Sequence, residues 1–422
     1  MKRGIYWFRN DLRVSDNEGL VRAIAENDEV LPLFIIDDRW LAKDQFGIER
    51  TGIYRLKFLL ESLEDLKAEL QKIGSDLRVI SGDSMGVLLK TFREYDCTKV
   101  YAQRASSEQE TKEEKNLSHE IPTEFIWGET LYHLDDLPMG IKDLPEIFTD
   151  FRKLAEKKSN IRPLIEAPTS IRTPQDFGTA VPSLNSFGFN NSLEEFRAPL
   201  DFKGGANAAN DRIQYYFWDK ELLSDYKNTR NGLLGSDFSS HLSPWLSNGC
   251  ISPREIYWQI VHYEKYVKKN SSTYWLVFEL IWRDYFHFVA LKHGKKIFLR
   301  TGIHGVDKVE WGPDRLFHLW RDGKTKEPFI DANMRELNAT GFMSNRGRQI
   351  VASYLIHQMK IDWRIGAAYF EKMLIDYDPC SNYGNWAYIA GVGNDPRGGR
   401  EFNIAKQKET FDPKGKYQEY WN

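Results

Sequence analysis

Apolar residues in the first 130 positions come in short runs separated by amphipathic stretches. Residues 4–8, 30–36, 77–80, 99–102 and 124–126 read as strands, with 30–36 an almost continuous apolar run. Residues 17–26 read as a helix capped by Asp16 or Asn17. Residues 50–73 place Leu56, Leu59, Leu60, Leu63, Leu66 and Leu70 at helical spacing. Strand and helix patterns that alternate in this way predict an α/β unit, a doubly wound, Rossmann-like parallel sheet over residues 1–130. No G-x-G-x-x-G follows the first strand, so no dinucleotide site is expected there.

Residues 131–200 read as a linker. Pro163, Pro168, Pro174 and Pro182 punctuate it, and 183–192 is rich in Ser, Asn and Gly. From residue 206 onward the strand patterns fade. Helical spacing recurs over 206–217, 253–267, 274–289, 313–321, 331–340 and 348–363, which predicts an all-α unit over residues 201–422. Asp378-Pro379 then predicts a helix stop, because the residue before proline is pushed out of the α region. Asn382, Gly384 and Asn385 fit a turn with positive φ that would set polar groups beside Trp386.

Composition narrows the classes. A chain of 422 residues has room for two or three domains with substantial cores. The 13 Trp, within a 14% aromatic content, suit a partner with flat rings. No stretch offers the roughly 20 apolar residues of a membrane span, and Lys2, Arg3, Arg9 and Arg13 leave no apolar leader, so no membrane association is expected. Cys97, Cys250 and Cys380 are far apart and lack zinc spacing, as expected of reduced thiols in a cytoplasmic protein. Residues 1–200 hold 27 Lys and Arg against 35 Asp and Glu, net −8, whereas residues 201–422 hold 31 against 26, net +5. A nucleic acid would therefore meet the second half.

Several groups carry candidate chemistry. Gly235-Ser236-Asp237-Phe238-Ser239-Ser240-His241-Leu242-Ser243-Pro244 gathers hydroxyls and backbone N–H groups where a helix begins, as either an anion site or a serine-rich cap. Glu279 and Arg283 lie four apart on one helix, where a plain salt bridge would contribute roughly 0.2–0.5 kcal/mol. Arg9, Asp11, Arg13 and Asp16 could form an ion network closing the first strand–helix turn. His133, Asp135 and Asp136 have no partners at metal-ligand spacing, and no metal site is expected.

Two longer phrases change the picture. Asn338-Ala339-Thr340-Gly341-Phe342-Met343-Ser344-Asn345-Arg346-Gly347-Arg348 and Asp378-Pro379-Cys380-Ser381-Asn382-Tyr383-Gly384-Asn385-Trp386 resemble the photolyase/cryptochrome family, and its DASH branch in particular. Trp7-Phe8-Arg9-Asn10-Asp11-Leu12-Arg13 matches the family's opening motif, and residues 127–133 and 148–153 are also DASH-like. The resemblance spans nearly the whole chain. It implies an α/β antenna domain (1–130), a linker (131–200) and a helical FAD-binding catalytic domain (201–422).

The resemblance also implies roles. Tyr226, Ser239, Ser240, His241, Leu242 and Ser243 would grip the FAD phosphates and Arg283 would lie near the flavin. Arg348 would pair with Asp376 beside the isoalloxazine, Tyr377 and Asp378 would be further contacts, and Asn382 would face N5. Trp386, Trp363 and Trp311 would relay electrons, with Trp320 a weaker candidate for the outer step. Arg230, Glu279, Met343, Asn345, Arg346 and Gln407 would contact DNA, Glu279 within the lesion pocket. Ser344 and Asn345 stand where (6-4) photolyases carry paired histidines, which argues against (6-4) repair. The family's antenna folate, methenyltetrahydrofolate, usually relies on a Glu where this chain has Ala105, which counts against it. The expectation is a monomeric, blue-light, FAD-dependent enzyme that repairs cyclobutane pyrimidine dimers, preferentially in single-stranded DNA. The alternatives are a cryptochrome-type photoreceptor that binds FAD and nucleic acid without efficient repair, and a non-photoactive flavoprotein oxidoreductase.

Overall fold

A computed structural model describes residues 1–189 and 197–422, so the 190–192 end of the expected Ser/Asn/Gly-rich stretch lies outside the described residues. The N-terminal part is a five-stranded parallel sheet of β1 (Arg3–Phe8), β2 (Glu29–Asp37), β3 (Arg78–Gly82), β4 (Lys99–Gln103) and β5 (Thr123–Ile126), in the order β3-β2-β1-β4-β5. β1 is central in that order and is buried along nearly its whole length. Ile5 aligns with Leu31 on one side and Val100 on the other. The Glu18–Glu26 helix is capped by Asn17, whose side chain accepts from Leu20 N. The Ile53–Lys72 helix buries the leucine stripe of the sequence pattern.

Helices make up the second half. The longest, Ser271–His293, packs against Pro379–Ala390, and Asn345–Ser353 and Trp363–Met373 complete the walls around that pair. Two sequence expectations are corrected here. Residues 348–363 do not form one helix. Asn345–Ser353 runs into a π-turn at Tyr354–Gln358, and a new helix begins at Trp363 with Asp362 as its cap. Asp378-Pro379 starts a helix rather than stopping one. Asp378 caps Pro379–Ala390 by accepting from Ser381 N, and proline stands in the first turn, where its missing N–H costs nothing. Neither Asn382, Gly384 nor Asn385 has positive φ. Gly384 is required for a different reason, because a Cβ there would lie 2.3 Å from Phe286 Cδ1 on the long helix.

The Pro-rich linker is anchored into both halves. Within it Phe148–Lys158 is helical, and Phe148 stacks on Trp282 at 3.6 Å between ring centroids. Asp284, fully buried on the long helix, accepts from Leu131 N and Tyr132 N at 2.9 and 2.8 Å. The charged turn after β1 is not the closed network its spacing predicts. Arg9 pairs with Glu114 at 2.6 Å, Arg13 donates to Gly249 O at 2.9 Å, and Asp16 pairs with Arg254 at 2.8 Å and accepts from Ser252 Oγ. Three of those partners belong to the helical half, so the turn joins the two domains. Cys97, Cys250 and Cys380 are buried free thiols. Among the described residues no helix is long and apolar enough to cross a membrane.

Candidate functional site

Three adjoining cavities open between the helices. The first, about 270 Å³, is lined by Tyr226, Ser239, Ser240, His241, Leu242, Ser243, Glu279, Arg283, Met343, Asn345, Arg348, Asp376 and Asp378 among others. The second, about 90 Å³, continues it inward past Asp376, Tyr377, Asp378, Asn382 and Trp386. The third, about 390 Å³, is a wider mouth that shares Arg230, Glu279 and Arg283 with the first. Every residue expected to hold the cofactor therefore lies on one of the two inner walls.

The segment around 235–242 is irregular and leads into the short Ser243–Ser247 helix. Its shape is set by Arg212, a residue that no sequence signal singled out. The buried guanidinium donates to Ser240 O at 2.9 Å, Ser236 O at 2.7 Å and Ser239 O at 2.9 Å. Beyond this anchor, Ser239, Ser240 and Ser243 line the first cavity. His241 is buried with positive φ, and burial lowers its pKa to about 3, so the ring is neutral.

Arg348 and Asp376 form the expected pair. Arg348 donates to Asp376 Oδ2 at 2.9 Å and to Met343 O at 2.8 Å, and Ser243 Oγ donates to the same Asp376 oxygen at 2.6 Å. Among the described residues Asp376 Oδ1 and His241 Nε2 are buried without a hydrogen-bond partner. Buried polar atoms are normally satisfied, so these two orphans on a cavity wall fit a polar ligand. A ligand with hydroxyls, ring donors and a pyrophosphate, such as FAD, meets those requirements. Asn382 donates from Nδ2 to Ala367 O at 2.9 Å, which leaves its carbonyl oxygen and second N–H for a ligand.

Glu279 and Arg283 do not pair with each other. Glu279 bonds Arg230 at 2.6 Å and accepts from Trp275 Nε1, while Arg283 donates to Glu129 O. Burial pushes the Glu279 carboxyl up from its usual range, with Arg230 opposing the shift. Arg230, Arg346 and Arg400 gather at the mouth, and burial beside two like charges lowers the Arg346 pKa. Phe278, Trp282, Phe286 and Tyr388 supply aromatic faces there. Met343 is fully buried in the first cavity's wall. Gln407 lies on the Ile404–Phe411 helix, outside the linings of these three cavities.

The tryptophans are spread from inside to outside. Trp386 is buried on the inner pocket, and Trp363 is buried with Nε1 donating to Arg300 O at 3.0 Å. Arg300 pairs with Asp307, and Asp307 accepts from the half-exposed Trp311. Trp320 is fully buried and meets Trp386 edge-on at 6.2 Å, so it does not occupy an outer position. Ser381, Gln349 and Phe402, to which the sequence reading gave no role, and Asn385, which it placed in a turn, also line the inner pocket or the mouth. Reading Pro379 as a helix start would have found two of them, since Ser381, Asn382, Asn385, Trp386 and Ile389 then recur on one helical face.

Ala105 supplies only its backbone N–H, which donates to Glu114 at 2.6 Å. The cleft between the two domains, about 550 Å³, is lined by Glu108, Glu110, Arg55, Glu371 and Tyr383 but not by Ala105. His133 accepts from Asp135 N and caps a short turn.

Residues 4–171 match the model of the DNA photolyase family, and residues 275–422 match that of the FAD-binding domain of DNA photolyase. A cryptochrome DASH from Gloeobacter violaceus is 47% identical over 427 residues, covering 100% of this chain and 85% of the relative. A solved Synechocystis cryptochrome superposes with a TM-score of 0.95 at 44% identity, covering 100% of this chain and 88% of that one. An archaeal photolyase from Sulfolobus tokodaii, solved with two FAD molecules, superposes with a TM-score of 0.79 at 28% identity, over 99% of this chain and 90% of that one.

Proposed function

The chain belongs to the photolyase/cryptochrome family, with DASH-type relatives along its whole length, and from that premise we propose that it repairs cyclobutane pyrimidine dimers under blue light, preferentially in single-stranded DNA. The observation that carries this reading is the continuity of the cavities. The wall that would hold the cofactor and the wall that would hold a dimer share Arg230, Glu279 and Arg283. FAD, when bound in its reduced form, would supply light-driven electron-transfer chemistry at the dimer.

The chain's own residues supply binding and exclusion of water. Ser239, Ser243 and Tyr226 would hold the phosphate end, and Arg348 with Asp376 and Asp378 would hold the ring end. Asn382 offers an amide, which serves either protonation state of a facing nitrogen. Glu279, with its pKa raised by burial, hydrogen-bonds the pyrimidine carbonyl edge in its protonated form or accepts from N–H in its ionised form. Arg346 and Arg400 hold phosphates, and Trp282 and Phe286 stack on bases. A dimer must leave the helix stack to enter the mouth, which costs a few kcal/mol in a duplex and less in a single strand. That difference favours single-stranded substrate. Trp386, Trp363 and Trp311, spaced from the inner pocket outward, would carry electrons between the cofactor and the surface.

The test is direct. Reduced, FAD-loaded protein is illuminated with single-stranded and duplex oligonucleotides carrying one thymine dimer, and intact thymines are counted. Faster repair of the single strand is the expected result. Equal rates would remove the strand preference, and no repair with intact flavin photoreduction would move the protein to the photoreceptor reading.

A further inference from the structure

One buried histidine behind the cavity has no part in the function just described. His287, on the Ser271–His293 helix, is fully buried at the junction of three chain regions. Its Nδ1 lies 3.0 Å from Ser106 Oγ, in the segment after β4, and 3.3 Å from Glu129 Oε2, in the segment after β5. Ser106 Oγ donates to Glu129 Oε2 at 2.6 Å, so its oxygen is free to accept, and Nδ1 carries the proton. On the other side Nε2 points at Asp378 Oδ2 across 3.6 Å. That separation is beyond a hydrogen bond but within an ion pair, and Nε2 has no other partner among the described residues. Asp378 is the residue that caps the Pro379–Ala390 helix and lines both inner cavities.

The charges around the ring are Glu129 and Asp378 against Arg283, with the buried Cys380 thiol beside Asp378 and Glu110 the next acid, on the Glu108–Glu120 helix. Two buried carboxylates facing one guanidinium leave an uncompensated negative charge unless the imidazole is protonated. The cost of burying the imidazolium opposes protonation, and the two flanking acids more than offset it, so the His287 pKa is raised. The same arrangement lowers Glu129 to about 2. His287, Asp378 and Cys380 also have metal-like spacing, but the Asp378 oxygens already serve the helix cap and the imidazole.

We propose that His287 is a positioning residue for the flavin site: clamped between Glu129 and Asp378, its imidazolium holds the Asp378 side chain in place on the cavity wall. The proposal rests on the FAD reading above and extends it, by linking a cavity carboxylate to a residue of the α/β half through one buried ring. A histidine whose pKa is raised on folding holds its charge at low pH and loses it as pH rises through the folded value. Asp378 is therefore held most firmly below that pH.

Two measurements on the full chain decide the matter. The first is an NMR titration of the His287 ring in the wild-type, flavin-free protein. The second is FAD dissociation followed by fluorescence between pH 6 and pH 9 for wild type, His287→Gln and His287→Arg. The expected ring pKa lies above the ordinary value of about 6.5. Wild-type FAD binding should weaken as pH rises through it. His287→Gln should bind about tenfold more weakly at neutral pH, equivalent to one pKa unit, with no pH dependence, and His287→Arg should restore tight, pH-independent binding. A ring pKa at or below about 6.5, or wild-type affinity in His287→Gln, would overturn the proposal. Should the wild type fail to bind FAD at all, the functional reading falls, and the titration still decides the clamp. Should His287→Gln fail to fold, the titration and the arginine variant decide it.

Discussion

The Arg348–Asp376 pair offers a measurement whose size follows from the structure. The Asp376 side chain is 2% exposed and that of Arg348 is 23% exposed. Removing one partner of a fully buried pair costs about 3–5 kcal/mol, but water reaches this guanidinium and lowers that figure. A hydrogen bond to a charged group contributes about 1.5–3 kcal/mol, and the half-open geometry argues for a coupling of about 2 kcal/mol. Asp376→Asn keeps the shape and the acceptor for Ser243 but removes the charge. Arg348→Met removes the charge together with the bond to Met343 O. A double-mutant cycle on the flavin-free chain, followed by urea unfolding, should show the double variant less destabilised than the sum of the singles by about 2 kcal/mol. Each single variant should also weaken FAD binding by at least about tenfold, equivalent to about 1.4 kcal/mol. Additivity within about 0.5 kcal/mol, with FAD affinity intact, would mean that the pair neither stabilises the fold nor shapes the cavity.

Other expectations follow from single positions. Gly384→Ala places a methyl against Phe286 and should cost about 1–3 kcal/mol by overpacking, seen as a lower thermal midpoint; an unchanged midpoint would mean the helices part easily. Arg346→Ala should weaken single-stranded DNA binding evenly across sequences and reduce the salt slope by about 0.7 per lost phosphate contact, and an unchanged slope would place the DNA elsewhere. Trp386→Phe should slow flavin photoreduction while FAD remains bound, and a wild-type rate would rule out the route through Trp386. Glu336 is buried with its pKa pushed up to about 8, so its folded form holds a proton that the unfolded chain releases near pH 4. Relative to Glu336→Gln, wild type should lose stability as pH rises from about 4.3 to about 8, with the gap constant above that. Urea midpoints at three pH values would test the sign.

The sheet was legible because strands buried on both faces must be apolar, and residues 30–36 leave no other choice. The leucine stripe of the Ile53–Lys72 helix was legible for the same kind of reason. The cavity walls were found through long phrases such as 378–386, although the same stretch was misread locally as a turn. Proline and glycine signal both breaks and contacts, and only the Phe286 ring explains why Gly384 sits inside a helix. Partners remote in sequence could not be read. Glu279 has a cation four residues away and bonds Arg230 instead, because folding brings the Tyr226–Thr229 turn against the long helix. Arg212 has no motif, yet it holds three carbonyls of the cofactor segment.

The junction at Asp16 bears on how the chain is made. Its carboxylate is 1% exposed in the finished protein, and the guanidinium that satisfies it comes 238 residues later. At about 5–20 residues per second, a ribosome takes on the order of 10–50 s to deliver that arginine. Throughout that interval the nascent sheet has its own core, but Asp16, beyond the turn after β1, lacks its guanidinium partner. The first half of the chain must therefore remain hydrated at that point, and chaperone binding there would compete with docking of the second half.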